Sequence, residues 1–122
     1  MIDGFDTWFN RAAHQIESLM AVTNLAQNAM ISGVPAVRSA VDAIGSTASE
    51  GRRWLSTNPC PDHDLGDRFG KLFERYAAVA VGFVDGYKEQ GTGYLPALTQ
   101  EVGSLSGSLS DFIADVQKRL EG

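Results

Sequence analysis

Cysteine is nearly missing from this chain. Cys60 stands alone, so no intrachain disulfide can form, and a reduced, cytoplasmic setting is expected. Histidine is almost as scarce, at His14 and His63 only. No Glu-x-x-His pair of the di-iron bundle type occurs, and no Cys-x-x-Cys-His haem attachment. Lys and Arg number 10 against 15 Asp and Glu, a net charge of −5. Apart from Arg52-Arg53 the basic residues are scattered, and a nucleic-acid binder needs a basic patch to release counterions. Nucleic acid is therefore not an expected partner, and docking on anionic lipid is disfavoured. Long apolar runs are missing too. The longest uncharged one, Tyr76–Val84, falls far short of the roughly 20 residues that a bilayer span requires. Residues 1–25 lack a basic start followed by an unbroken apolar segment, so no signal peptide is expected. Sustained strict alternation is absent, so no strand is expected either.

What the chain has is helical periodicity. The segment 64–90 is the centre of the pattern. Leu65, Phe69, Leu72, Tyr76, Val79 and Phe83 form one stripe, and Phe73, Ala77, Ala80, Val84 and Tyr87 a second beside it. Two adjacent stripes need neighbours on two sides, which marks a central bundle helix. A first helix is expected over about 3–32, capped by Asp3, with the seam Phe5, Phe9, Ala12, Ile16, Leu19, Thr23, Ala26 and Met30. Trp8, Met20, Val22, Leu25 and Ala29 widen that seam. A second helix, about 35–56, starts at Pro35 and carries Val37, Val41, Ile44, Ala48 and Leu55. Gly45 and Gly51 weaken it by about 1 kcal/mol each, which leaves room for a kink or break near Gly51. A fourth, about 95–120, contains GSLSGSLS, a linker-like composition. Its leucines nevertheless fall on every turn, which decides for helix.

Four amphipathic segments joined by short turns predict an all-α fold, an antiparallel up-down-up-down four-helix bundle. A single domain over residues 1–122 is expected, with dimerisation as a way to complete or extend it. That topology separates charge. No charged residue lies between Glu17 and Arg38, nor between Glu89 and Glu101, and both stretches fall at one end. The other end gathers Asp3, Asp6, Arg11, Glu50, Arg52, Arg53, Asp62, Asp64, Asp67, Arg68, Asp115, Lys118, Arg119 and Glu121.

The loop after the second helix collects Cys60, Asp62, His63 and Asp64, all potential metal ligands. Four neighbours in a tight loop cannot all point at one ion, and Asp62 or Asp64 is better read as the cap of the helix that follows. Cys60 reads as a small loop residue, with Arg52 and Arg53 as the groups that would favour a thiolate. His14 lies off the seam near Glu17, as a surface or boundary histidine. No nucleophile–base spacing and no phosphate-cradling glycine loop appears, so neither an enzyme nor a cofactor is expected.

Glycines recur four apart, at Gly82 and Gly86 and again at Gly103 and Gly107. They permit close helix approach inside the bundle. They also leave the outer face of the central helix smooth between Glu74 and Asp85, where Ala78, Val81 and Gly82 offer a place for an additional helix. The expected contact surface is therefore Ala78, Val81, Gly82 and Gly86, with Met30, Ile31, Val34, Tyr94 and Leu95 at the uncharged end. The expected function is a non-enzymatic interaction protein that self-associates or docks a partner. Alternatives are a module for an apolar small molecule or a hydrophobic lipid or granule surface, and a small metal protein using the 60–64 loop.

Overall fold

The computed structural model of the chain describes residues 4–121. Four α-helices follow one another: α1 (Phe5–Ser32), α2 (Val34–Thr57), α3 (His63–Gln90) and α4 (Leu95–Glu121), with a 3-10 turn at Gly91–Tyr94 leading into α4. The fold is all-α, and no strand occurs among the described residues. α1 packs on α2 and α4, and α3 packs on the same two. Side-chain contacts set the directions. The Trp8 indole near the start of α1 donates to the carbonyl of Asn58, just past the end of α2, at 2.7 Å. Arg119 in the last turn of α4 meets Asp62 at the start of α3, at 3.1 Å. Sequence neighbours thus run antiparallel.

The helix boundaries have local causes. Asp62 caps α3, its carboxylate accepting from the Leu65 amide at 3.1 Å. The expected cap Asp3 lies outside the described residues; α1 begins directly after Gly4. Proline sits in the first turn of α2, which opens one residue earlier than expected, at Val34. The GSLSGSLS stretch is helical throughout, with Leu105 and Leu109 buried.

α2 is not broken at Gly51, since it continues to Thr57. A Cβ at Gly51 would stand 2.1–2.6 Å from ring atoms of Phe73. The missing side chain is therefore a notch that receives an aromatic ring, and the burial of that ring outweighs the helix propensity that glycine loses.

The principal stripe of α3, from Leu65 to Phe83, is buried along its whole length. The second stripe is not. Phe73 is buried and Ala77, Ala80 and Tyr87 half-buried, but Val84 is 62% exposed. On α1, Met20 and Leu25 also face solvent instead of widening the seam. One polar pair lies in the core. Thr23 Oγ1 donates to the Leu19 carbonyl at 2.6 Å, which leaves Tyr76 to donate its phenol proton to Thr23, also at 2.6 Å. This chain crosses the bundle from α1 to α3 and satisfies both hydroxyls. Burial raises the Tyr76 pKa above its ordinary 10.0; the Thr23 hydrogen bond and Arg75 oppose that shift.

Candidate functional site: a groove between α2 and α3

α2 and α3 touch differently along their length. At Gly51 the Phe73 ring fills the space between them. One to two turns towards the uncharged end, the facing groups are Gly45 and Ala80, and a Cβ on Gly45 would meet the Ala80 methyl at 3.4 Å. Nothing large covers that contact. An open groove of about 880 Å³ results, with a floor of Val41, Gly45, Ala80 and Phe83. Val81 and Val84 stand on its α3 side, 64% and 62% exposed. Arg38, Asp42 and Lys88 rim it. The Arg38 guanidinium lies 5.0 Å from the centroid of the Tyr87 ring, a cation–π contact that holds one corner.

The contact surface expected from sequence is divided by the structure. Val81 lies on the groove, whereas the exposed Ala78 lies towards α4, where it borders a shallow cleft with Arg75 and Ser104. Gly82 and Gly86 already have an occupant. A Cβ at Gly86 would stand 2.5 Å from the Tyr94 ring, and one at Gly82 3.4 Å from the Tyr94 hydroxyl. These two glycines therefore seat an aromatic ring of this same chain, not an additional helix. Tyr94, expected on the surface, is buried there, and its hydroxyl donates to Glu101 at 3.2 Å. Its pKa is raised, by burial first and by the Glu101 charge and hydrogen bond second. A Cβ at Gly103 or Gly107 would meet nothing within 4 Å, so neither glycine is needed for a close helix approach. Met30, Val34 and Leu95 are half-buried, and Ile31 is 87% exposed beside the turn between α1 and α2.

The 60–64 loop is engaged in closing the fold. Asp62 is committed to the Leu65 amide and to Arg119. Cys60 is half-buried, and a Cβ at Gly66 would lie 2.8 Å from its own Cβ. His63 and Asp64 are exposed in the first turn of α3. Among the described residues, no group of three or more His, Cys, Asp and Glu could hold a metal ion. His14 is likewise exposed, its carbonyl accepting from the Ser18 hydroxyl.

Sequence reasoning missed the α2 half of the groove, and it assigned Val84 to the core. The signal was there in part. Gly45, Ala77 and Ala80 are all small, and small residues facing one another leave a gap unless a large neighbour reaches over it.

The fold and this site define an all-α bundle with an open apolar groove on one flank. Comparison with family models, curated proteins and solved structures finds no match. Among the described residues no helix is long and apolar enough to cross a membrane.

Proposed function

We propose that this chain is a non-enzymatic helical interaction protein that docks another helix on the outer face of α3 and the adjoining groove. One observation carries this reading: two β-branched apolar side chains, Val81 and Val84, stand largely exposed beside an apolar groove of about 880 Å³. Removing such groups from water is favourable, and the groove floor has no charge to desolvate. The charged groups sit on the rim, the usual anatomy of a protein–protein contact. A cytoplasmic location accords with the lone cysteine.

The test is the double variant Val81→Glu/Val84→Glu. Both positions are solvent-facing, so the fold should survive, as judged by circular dichroism and melting. Mass in solution by light scattering should fall if the face joins copies of this chain. A wild-type oligomer that the double variant leaves unchanged would remove this face from consideration.

A second reading rests on the rim. Arg38 and Lys88 at the edge of an apolar groove suit a long-chain carboxylate. A saturable rise in melting temperature with fatty acids of increasing length, lost in Arg38→Ala, would favour that ligand; no shift across the series would discard it.

A further inference from the structure

The docking reading above leaves its occupant unspecified, and the charge pattern of α3 names one. Along its outer face α3 presents Glu74, the adjacent Ala77 and Ala78, Val81, the adjacent Val84 and Asp85, and Lys88. All are exposed except Ala77, which is half-buried. The spacing steps by threes and fours, a seam on one side of a helix. Val81 is its midpoint. A carboxylate lies seven residues before it and an ammonium seven residues after it.

We propose that the occupant is a second copy of this chain, its α3 antiparallel to the first about a two-fold axis at Val81. This arrangement rests on the docking reading and on the seam's complementarity under reversal. Turning the seam end for end about Val81 brings Lys88 level with Glu74 of the second copy. By symmetry the reciprocal pair forms at the other end, about 20 Å away along the helix. Val84 comes level with Ala78 of the second copy, a larger group against a smaller one. Asp85 comes level with Ala77 and so meets no like charge. The parallel alternative sets Glu74 against Glu74 and Lys88 against Lys88, and is repelled at both ends.

Two further observations agree. Neither Glu74 nor Lys88 forms an ion pair within the chain among the described residues, whereas the neighbouring Lys71 is paired with Asp67 at 3.1 Å. Both ends of the seam thus keep their charge available. The groove-rim residues beside it, Arg38 and Asp42, are one of each sign and add no net repulsion.

The experiment is a charge-swap series read by light scattering at low ionic strength. Wild type should be a dimer. Glu74→Lys alone and Lys88→Glu alone each turn both symmetric attractions into repulsions and should weaken association about tenfold. The double variant carrying both changes should recover the dimer. Mixing the two single variants should give a heterodimer, because every facing pair is then opposite in sign. A wild type that stays monomeric at about millimolar concentration, where only contacts weaker than roughly 4 kcal/mol are missed, overturns the second-copy proposal. A dimer indifferent to the swaps but broken by Val81→Glu/Val84→Glu overturns this register and leaves the docking face standing. A dimer indifferent to both sets overturns the register and the docking face together.

Discussion

The two ends of the bundle are held by different means. At the end that carries the start of α1, the end of α4 and the α2–α3 loop, aromatic rings lock together. Phe69 stacks on Phe112 at 5.0 Å and leans on Phe73 at 4.6 Å, with Trp8 edge-on at 5.9 Å. Cations cover that cluster, Arg119 over Phe5 and Arg68 over Phe112, and both arginines also hold a carboxylate, Asp62 and Asp115. At the opposite end Phe83 stacks with Tyr87 and leans on Tyr94, but the gap between α2 and α3 meets only Gly45 and Ala80. The same device, a glycine on α2, gives opposite results. Opposite Gly51 a phenyl ring enters and the interface closes; opposite Gly45 only a methyl approaches and it stays open. Charge follows the same division. An apolar surface is cheaper to cover where few charges must be stripped of water, which is why the open groove and not the charged end carries the docking proposal.

Deleting the ring at the closed end should do the most damage. Phe73→Ala empties the notch and part of the aromatic cluster, and should cost about 3–5 kcal/mol in urea unfolding. A loss below about 1 kcal/mol would mean the closed end is not what holds the bundle together. Next comes a direct contrast of the two glycines. Gly51→Ala forces a Cβ into the Phe73 ring and should destabilise by about 1–3 kcal/mol despite better helix propensity. Gly45→Ala, whose Cβ would make only a tight contact with Ala80, should stay within about 1 kcal/mol of wild type. Equal effects would erase the distinction between the ends.

Smaller effects sit at the junction and on the outer surface. Tyr76→Phe removes the hydrogen bond to Thr23 and should cost about 1 kcal/mol at neutral pH. It should also change the alkaline limb. The phenol ionises near 10.0 when unfolded and higher when folded, so its contribution is whole below pH 10. That contribution falls as pH rises from 10 through the folded value. The variant should therefore lose stability less steeply above pH 10 than wild type. Smallest of all, Gly103→Ala and Gly107→Ala should each stabilise by about 0.5–1 kcal/mol, because α4 loses two flexible residues and no neighbour is touched. A loss at either position would reveal a contact on that face.

Much of this was legible from residue spacing. The buried stripe of α3 and the helical state of GSLSGSLS follow from periodicity, while the spacing admits Asp62 or Asp64 as the cap and the structure selects Asp62. Spacing does not report what lies opposite. Gly51 looks like a weak point until Phe73 is found in it. Gly82 and Gly86 look like a seat for a foreign helix until Tyr94, eight residues further along, folds back onto them. Val84 belongs to a core stripe by phase and is exposed, standing beside a groove whose closest α2–α3 contact is between the small groups Gly45 and Ala80. In each case the deciding fact is the size of a side chain on another helix.

A single residue, Gly33, separates α1 from α2, with φ 108° and ψ 172°. A side chain bearing a Cβ is strained at that φ. If position 33 became helical, the 53 residues from Phe5 to Thr57 would form one helix of about 80 Å, kinked at Pro35, and α1 would be carried away from its packing partners in the same molecule. The reversal of the chain at Gly33 is thus what makes the bundle close within one molecule. It stands as a safeguard against exchange of α1 between copies, independent of any association through α3.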